Sequence, residues 1–341
     1  MTAKAGVSRE HHINAGGAPA AGIDDVIAKP LRHPGRWVAA AIIVGIVLTG
    51  ITSVWGNKNV DHPTIAHFIF DHRIVEGVGM TIALTVCGMV LATVLAIVLA
   101  VMRLSPNPVL RTTAWVYVWF FRGTPLLVQI VFWGYLGLLY TNVTLGIPLT
   151  PIEFWSAPTS TIITPFIAGL LALGLNEAAY ASEIVRAGLL AVDPGHVEAA
   201  YSLGMSPSYT LRRIVLPQAM RVIIPPMGNE TISMLKNSAL LELIAVQELY
   251  TRASDISAQN LRQVELLVVV SLWYLFLTTV LSVPQYYLER RYRRGVGRAL
   301  PPTPFQQVQR LVRGVRAAWH RRNAPDEVPF ETTEIEMREP R

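Results

Sequence analysis

The chain has 341 residues, 52% of them hydrophobic and only 15% charged, well below the roughly 25% charged of soluble domains. That balance predicts an integral membrane protein with room for many spans. Its net charge of +6 comes largely from arginines expected on the cytoplasmic side, so it reflects membrane topology and gives no sign of nucleic-acid binding. A single cysteine, Cys87, lies within an apolar run; it excludes an intrachain disulfide framework and a cysteine-based metal site, and reads as a small core residue.

Apolar runs long enough to cross about 30 Å of hydrocarbon occur at about 37–55, 78–102, 114–140, 164–189, 219–246 and 264–288. The expected fold is therefore an all-α integral membrane protein with about six transmembrane helices. Basic residues alternate between its loops: Arg32, Arg36, Arg103, Arg111, Arg212, Arg213, Arg290, Arg291, Arg293 and Arg294 on one side, against Lys58, Arg73, Arg252 and Arg262 on the other. By the positive-inside rule both termini are cytoplasmic.

The first 36 residues are expected to be a cytoplasmic tail, rich in Ala, Gly and His without periodicity and hence disordered. The first span, 37–55, reads as an uncleaved anchor rather than a signal peptide, because Thr52-Ser53-Val54-Trp55 offers no small-x-small cleavage pattern. Residues 56–75 form an external loop, where His62, His67, His72, Asp61 and Asp71 read as a solvated segment and not as a metal site. In the second span Gly88, Ala92, Ala96 and Ala100 recur every fourth residue, a small-residue stripe that suits packing inside the bundle or a subunit interface.

Early in the third span Arg122-Gly123-Thr124-Pro125 precedes Gln129. Proline frees a backbone carbonyl one turn earlier, so a local break is expected here, of the kind that lines a cavity. The fourth span carries Asn176, Glu177, Tyr180, Glu183 and Arg186. Asn176, Tyr180 and Glu183 share a face, and Glu183 can pair with Arg186 three residues on. Glu177 has no cation within helical reach; a carboxylate deep in a span is a functional candidate, and it could meet a substrate's amino group or a lysine of another helix.

Between the fourth and fifth spans lies a polar interruption, 193–217. Asp193 with Pro194 starts a helix of roughly three turns that Gly204 ends; Ser206 with Pro207 starts a second, carrying Arg212 and Arg213, that Pro217 interrupts. The fifth span is broken in character by Pro225, Pro226, Asn229, Glu230 and Lys236, which predicts a broken or cavity-lining helix. After the sixth span, residues 293–341 form a basic and then an acidic cytoplasmic tail. In it Phe305, Val308, Val312, Val315 and Trp319 recur at helical spacing among arginines. Such a helix suits either an anionic membrane surface or a solvated position with one packed face.

The spacing Glu198-Ala199-Ala200, Gly204, Ile214, Leu216-Pro217 resembles the EAA loop of bacterial ABC importer permeases. Phe121-Arg122-Gly123-Thr124-Pro125-Leu126-Leu127-Val128-Gln129, Ala179-Tyr180-Ala181-Ser182-Glu183-Ile184-Val185-Arg186 and Lys236-Asn237-Ser238-Ala239-Leu240 are similar to the polar amino-acid, histidine/glutamine subfamily. The resemblance covers about residues 76–292 and leaves the first span and both tails outside it. It implies a type I importer permease core in a bacterial cytoplasmic membrane, contacted by membrane lipid and moving an amino-acid substrate by alternating access.

The resemblance further implies that the helices around Gly204 couple to a separate ATPase, with Glu198 the polar anchor and Ala199 and Ala200 allowing close contact. Partners would be two ATPase subunits, a second permease subunit of the same or a different sequence, and an external substrate-binding protein. This chain would have no catalytic residue, metal or bound cofactor of its own; ATP and Mg would sit in the ATPase. Indeed none of its four lysines follows a glycine, so it has no G-x-x-x-x-G-K-[ST] phosphate loop. Gln129, Asn176, Glu177, Tyr180, Asn229 and Glu230 are the candidates for the substrate path, while Arg122, Glu183, Arg186, Lys236 and Asn237 are expected to be structural polar residues. The main rival is a secondary amino-acid transporter without an ATPase, which would ordinarily show an internal repeat; none is visible here.

Overall fold

The computed structural model describes residues 34–58, 60–146, 153–292 and 309. Residues 1–33 of the N-terminal tail, the stretch from Phe305 and the acidic end therefore fall outside the described residues, apart from position 309, while 34–36 already belong to the first helix. The chain divides into two units, Met1–Val60 and Asp61–Arg341. In the first, a single helix α1 spans Pro34–Trp55. It is apolar all round, with Val38, Ile42, Ile46 and Ile51 all exposed, as a helix in contact with lipid would be.

The second unit opens with a short helix α2 (His62–Phe68) and a long one, α3 (His72–Leu104). Asp71 caps α3, accepting from the Arg73 amide at 2.9 Å, and the hydrogen bonds from the Arg73 side chain hold the Asp71 carboxyl below its usual range. Helices α4 (Pro108–Gly123) and α5 (Leu126–Gly134) follow, then one turn, α6 (Leu136–Leu139). A hairpin of β1 (Asn142–Gly146) and β2 (Glu153–Pro158) departs from the all-helical expectation; it pairs antiparallel with Val143 opposite Ala157 and is irregular at Leu145/Gly146. A turn of helix, α7 (Thr159–Ile162), leads into α8 (Pro165–Leu190).

Helices α9 (Pro194–Ser202) and α10 (Pro207–Thr210) make up the polar interruption. Next come α11 (Leu216–Asn237), a 3-10 stretch Ser238–Ile244, α12 (Leu249–Asn260) and α13 (Gln263–Tyr292). By length and composition α3 and α13 can each cross a membrane, and α4 with α5 would make a third crossing bent by 99°.

The small-residue stripe of α3 sits in the core of this unit. Gly88, Ala92, Ala96 and Ala100 are all buried, Ala92 in a cluster with Ala172, Leu173 and Met234, and Ala96 and Ala100 in one with Ala181, Val185 and Ile223. A Cβ on Gly88 would come within 2.8 Å of the Met234 sulfur, so glycine leaves room for the Met234 side chain of α11 in its present position. The opposite face of α3, with Val86, Val90, Val94 and Val101, is exposed. Cys87 belongs to that outer face and not to the core, because the inward positions are taken by the stripe itself.

Three further expectations are corrected. Pro217 does not interrupt its helix: the Leu216 amide reaches back five residues to the Leu211 carbonyl in a π turn, Leu211–Val215, which places Pro217 in the first turn of α11, where it needs no donor. Nor does α11 break at Pro225 and Pro226, both of which lie inside it. The carbonyls of Arg221 and Val222, which lose their partners to those prolines, belong to exposed residues. Over the expected fifth span the α-helix ends at Asn237 and runs on as the 3-10 stretch to Ile244, and part of the following loop is the helix α12, packed against α3 and α13.

Candidate functional site

The break between α4 and α5 organises the polar interior. Pro125 cannot supply the amide that would close the helix onto the Phe121 carbonyl. Two side chains supply it instead: Gln129 Nε2 donates to Phe121 O at 2.9 Å and Asn176 Nδ2 donates to it at 3.0 Å. Gln129 also donates to the Thr124 carbonyl and hydroxyl at 3.1 and 2.8 Å, and accepts from Asn176 at 3.3 Å. Both residues, expected on the substrate path, thus hold α5 and α8 to the end of α4. Nearby, the Tyr117 hydroxyl donates to the Leu175 carbonyl at 2.8 Å.

Two turns of α8 carry the charged positions. Arg122 lies over the Tyr180 ring, 5.0 Å from its centroid. Glu183 pairs with Arg186 at 2.7 Å, as the spacing predicts, and also with Arg103 of α3 at 3.4 Å; sequence spacing could not reveal the second partner, since it comes from another helix. A cleft of about 460 Å³ opens beside these groups, lined by Arg122, Tyr180 and Glu183 together with Arg103, Trp115 and Trp119.

Glu177 stands apart. It is 6% exposed, and its Oε1 is buried with no hydrogen-bond partner. Its charged neighbour is another carboxylate, Glu230 of α11. Lys236, the lysine it could have met, is exposed and makes no ion pair among the described residues. Asn229 accepts from Gln285 Nε2 of α13 at 2.6 Å, and Asn237 ends α11.

A second constellation lies on α9 and α10. Asp193 caps α9 through the Gly195 amide at 2.8 Å, and Ser206 caps α10 through the Tyr209 amide at 3.4 Å. Gly204 ends α9 with φ of +76°. Its amide bonds the Tyr201 carbonyl at 2.9 Å and the Met205 amide bonds the Ala200 carbonyl at 3.1 Å, the paired bonds of a Schellman terminus. Ala200 is buried beneath, while Glu198 and Ala199 face outward. Leu203 is 82% exposed, and Tyr201, Tyr209 and Leu211 are exposed with it. Ile214 is half-buried in the π turn; Leu216 and Pro217 are exposed at the start of α11.

One buried polar centre escaped the sequence reading. Glu248, fully buried, caps α12 by accepting from the Thr251 amide at 2.7 Å, and also takes bonds from the Tyr274 hydroxyl at 2.9 Å and the Thr81 hydroxyl at 3.3 Å. The signal was there in an acceptor three residues before Thr251, but α12 itself is too polar to stand out. Among the described residues no group of three or more His, Cys, Asp or Glu is placed to hold a metal ion.

Residues 92–294 match the family model for the binding-protein-dependent transport system inner membrane component. The chain is 48% identical, over 285 residues, to the arginine transport system permease protein of Corynebacterium glutamicum, covering 83% of this chain and 88% of that one. It is 39% identical to the L-cystine transport system permease protein of Bacillus subtilis over 65% of this chain and 87% of the other. Among solved structures it is similar to the crystal structure of an amino acid ABC transporter with histidines, with a TM-score of 0.57 and 32% identity over 68% of this chain and 99% of that one.

Proposed function

Since the chain belongs to the family of binding-protein-dependent transport system inner membrane components and is a permease subunit of an ABC amino-acid importer, we propose that Glu177 and Glu230 select cationic amino acids on its path. The rival reading, a secondary transporter working without an ATPase, falls away with the family. One observation carries the proposal: a buried carboxylate oxygen without a partner, whose charged neighbour is a second carboxylate. Glu177 is buried and Glu230 half-buried, and two carboxylates that interact partly out of water favour a cation between them. A guanidinium, planar and with five donors, suits such a pair better than an ammonium does. The arginine permease of Corynebacterium glutamicum, at 48% identity, supports the same substrate class.

In this reading Tyr180, three residues on from Glu177 along α8, faces the route, Arg122 is structural, and Gln129, Asn176 and Asn229 shape the route by holding its helices together. Helices α9 and α10 seat in a separate ATPase, with Glu198 as polar anchor and the exposed Leu203 and Tyr201 as the apolar contact. ATP and Mg act in that subunit, and both termini of this chain are cytoplasmic. A second permease subunit and an external binding protein complete the complex.

The test is uptake by the reconstituted complex, with lysine, arginine, glutamine and glutamate as competitors. Glu177→Gln keeps the shape and removes the charge. It is expected to lower arginine uptake by about tenfold or more, as the loss of one charged contact in a buried site does, and to weaken competition by lysine more than by glutamine. Unchanged uptake per complex, with less folded complex recovered, would mean that Glu177 only supports the bundle.

A further inference from the structure

Arg111, Trp115 and Trp119 follow one another at intervals of four along α4 and so lie on one face of it. The two indoles stack, 6.2 Å apart and nearly parallel, and both are exposed. At the foot of this face is a cleft of about 280 Å³ where three helices meet: Arg103 and Leu104 come from the end of α3, Arg111, Thr112 and Trp115 from the start of α4, and Arg186 from α8. Glu183 pairs with Arg103 and Arg186. Arg111 has no ion pair among the described residues, so three arginines share one carboxylate and the cleft keeps two positive charges.

We propose that this cleft holds the phosphate of an anionic phospholipid from the cytoplasmic leaflet, with the acyl chains lying along Trp115 and Trp119. The chemistry recognised is phosphate oxygen, which guanidinium groups bind through paired N–H bonds. A lipid rather than a free phosphate is favoured by the apolar surface that leads away from the cleft. Val116, Trp119 and Phe120 are exposed on α4 above it, and stacked tryptophans suit the level of the headgroups. Basic pockets between spans at the cytoplasmic side have the character of headgroup sites.

The site rests on the proposed orientation, which puts the turn between α3 and α4 on the cytoplasmic side. Mixed detergent–lipid micelles present headgroups to both ends of the protein, so a reversed orientation would not hide binding and would show only in a topology assay. The full chain, purified with its ATPase partner, is titrated in such micelles with phosphatidylglycerol, with phosphatidylcholine and with inorganic phosphate, and the midpoint of thermal unfolding is followed. Phosphatidylglycerol is expected to raise the midpoint, and the other two to leave it unchanged. Arg111→Gln, an exposed position, is expected to weaken the apparent affinity about fivefold, the effect of one basic residue beside an anionic headgroup, while Arg221→Gln leaves it as it was. Equal weakening by both variants would mean diffuse surface attraction and overturn the site. So would an equal response to inorganic phosphate, or efficient cross-linking of Thr112→Cys to a second copy of the chain, which would mean that protein covers the cleft.

Discussion

Gln129 and Asn176 donate to the same acceptor, the carbonyl of Phe121, at 2.9 and 3.0 Å. They come from different helices, α5 and α8, so the carbonyl that Pro125 leaves free becomes the point at which three helices are joined. A break in a span is tolerated where its backbone groups find such partners. The proline that bends the chain therefore also dictates which amides surround it.

Shared capping of one carbonyl has a measurable signature. Asn176→Leu leaves Phe121 one donor and is expected to cost about 1 kcal/mol, Gln129→Leu loses its two bonds to Thr124 as well and costs more, and together they leave the carbonyl neither side-chain donor and cost about 1–3 kcal/mol beyond the sum. Thermal unfolding of the purified chain and its three variants measures this. Simple additivity would show that the two amides act independently.

Glu248 holds α12 in a comparable way. Glu248→Ala removes the cap of α12 and leaves the buried Thr81 hydroxyl and the half-buried Tyr274 hydroxyl without this acceptor; a loss of about 2 kcal/mol or more is expected. Hydrogen exchange should quicken over 249–260 before it does in α3. Tyr274→Phe, which removes a single bond, should have the smaller effect.

How far the sequence foretold this fold depended on the kind of signal. Punctuation at the helix ends was legible: the caps at Asp193 and Ser206, the left-handed Gly204 and the break at Pro125 each follow from the chemistry of one residue, whereas Pro217, Pro225 and Pro226 are absorbed by the helices that hold them. The stripe on α3 was legible because a period of four is a local property. What could not be read depends on neighbours distant in sequence. Leu249–Asn260 looks like a loop because its burial is supplied by α3 and α13, and Glu183 gains Arg103 from 80 residues away. Gln129 and Asn176 read as candidates for the substrate path; that both serve the Phe121 carbonyl required the bend of 99°. The π turn at Leu211–Val215 has no sequence signature at all; it is how one helix absorbs Pro217.

The orientation predicts the behaviour of reporter fusions. A reporter active only in the cytoplasm should work when fused after Arg294 and fail after Thr150. The opposite pattern would carry α9 and α10 to the wrong side for any ATPase and remove the coupling role with them.

Coupling itself separates from folding at Glu198 and Gly204. Glu198 is exposed on α9, so Glu198→Lys should leave the unfolding midpoint of the isolated permease unchanged while abolishing ATP-driven uptake, by opposing a complementary charge on the ATPase. Gly204 has φ of +76° and open space where a Cβ would stand. An alanine there meets no neighbour and costs only the strain of a left-handed residue, about 1–2 kcal/mol, all of it outside the membrane core. Gly204→Ala is therefore expected to re-aim α10 against α9 and reduce ATPase stimulation by the binding protein, with membrane insertion normal. Full uptake by Glu198→Lys would count against docking through this face. A loss of inserted protein in Gly204→Ala would show instead that the elbow is needed for the fold, because α10 runs on through the π turn into α11 and any error in its angle would pass directly to the helix that carries Glu230.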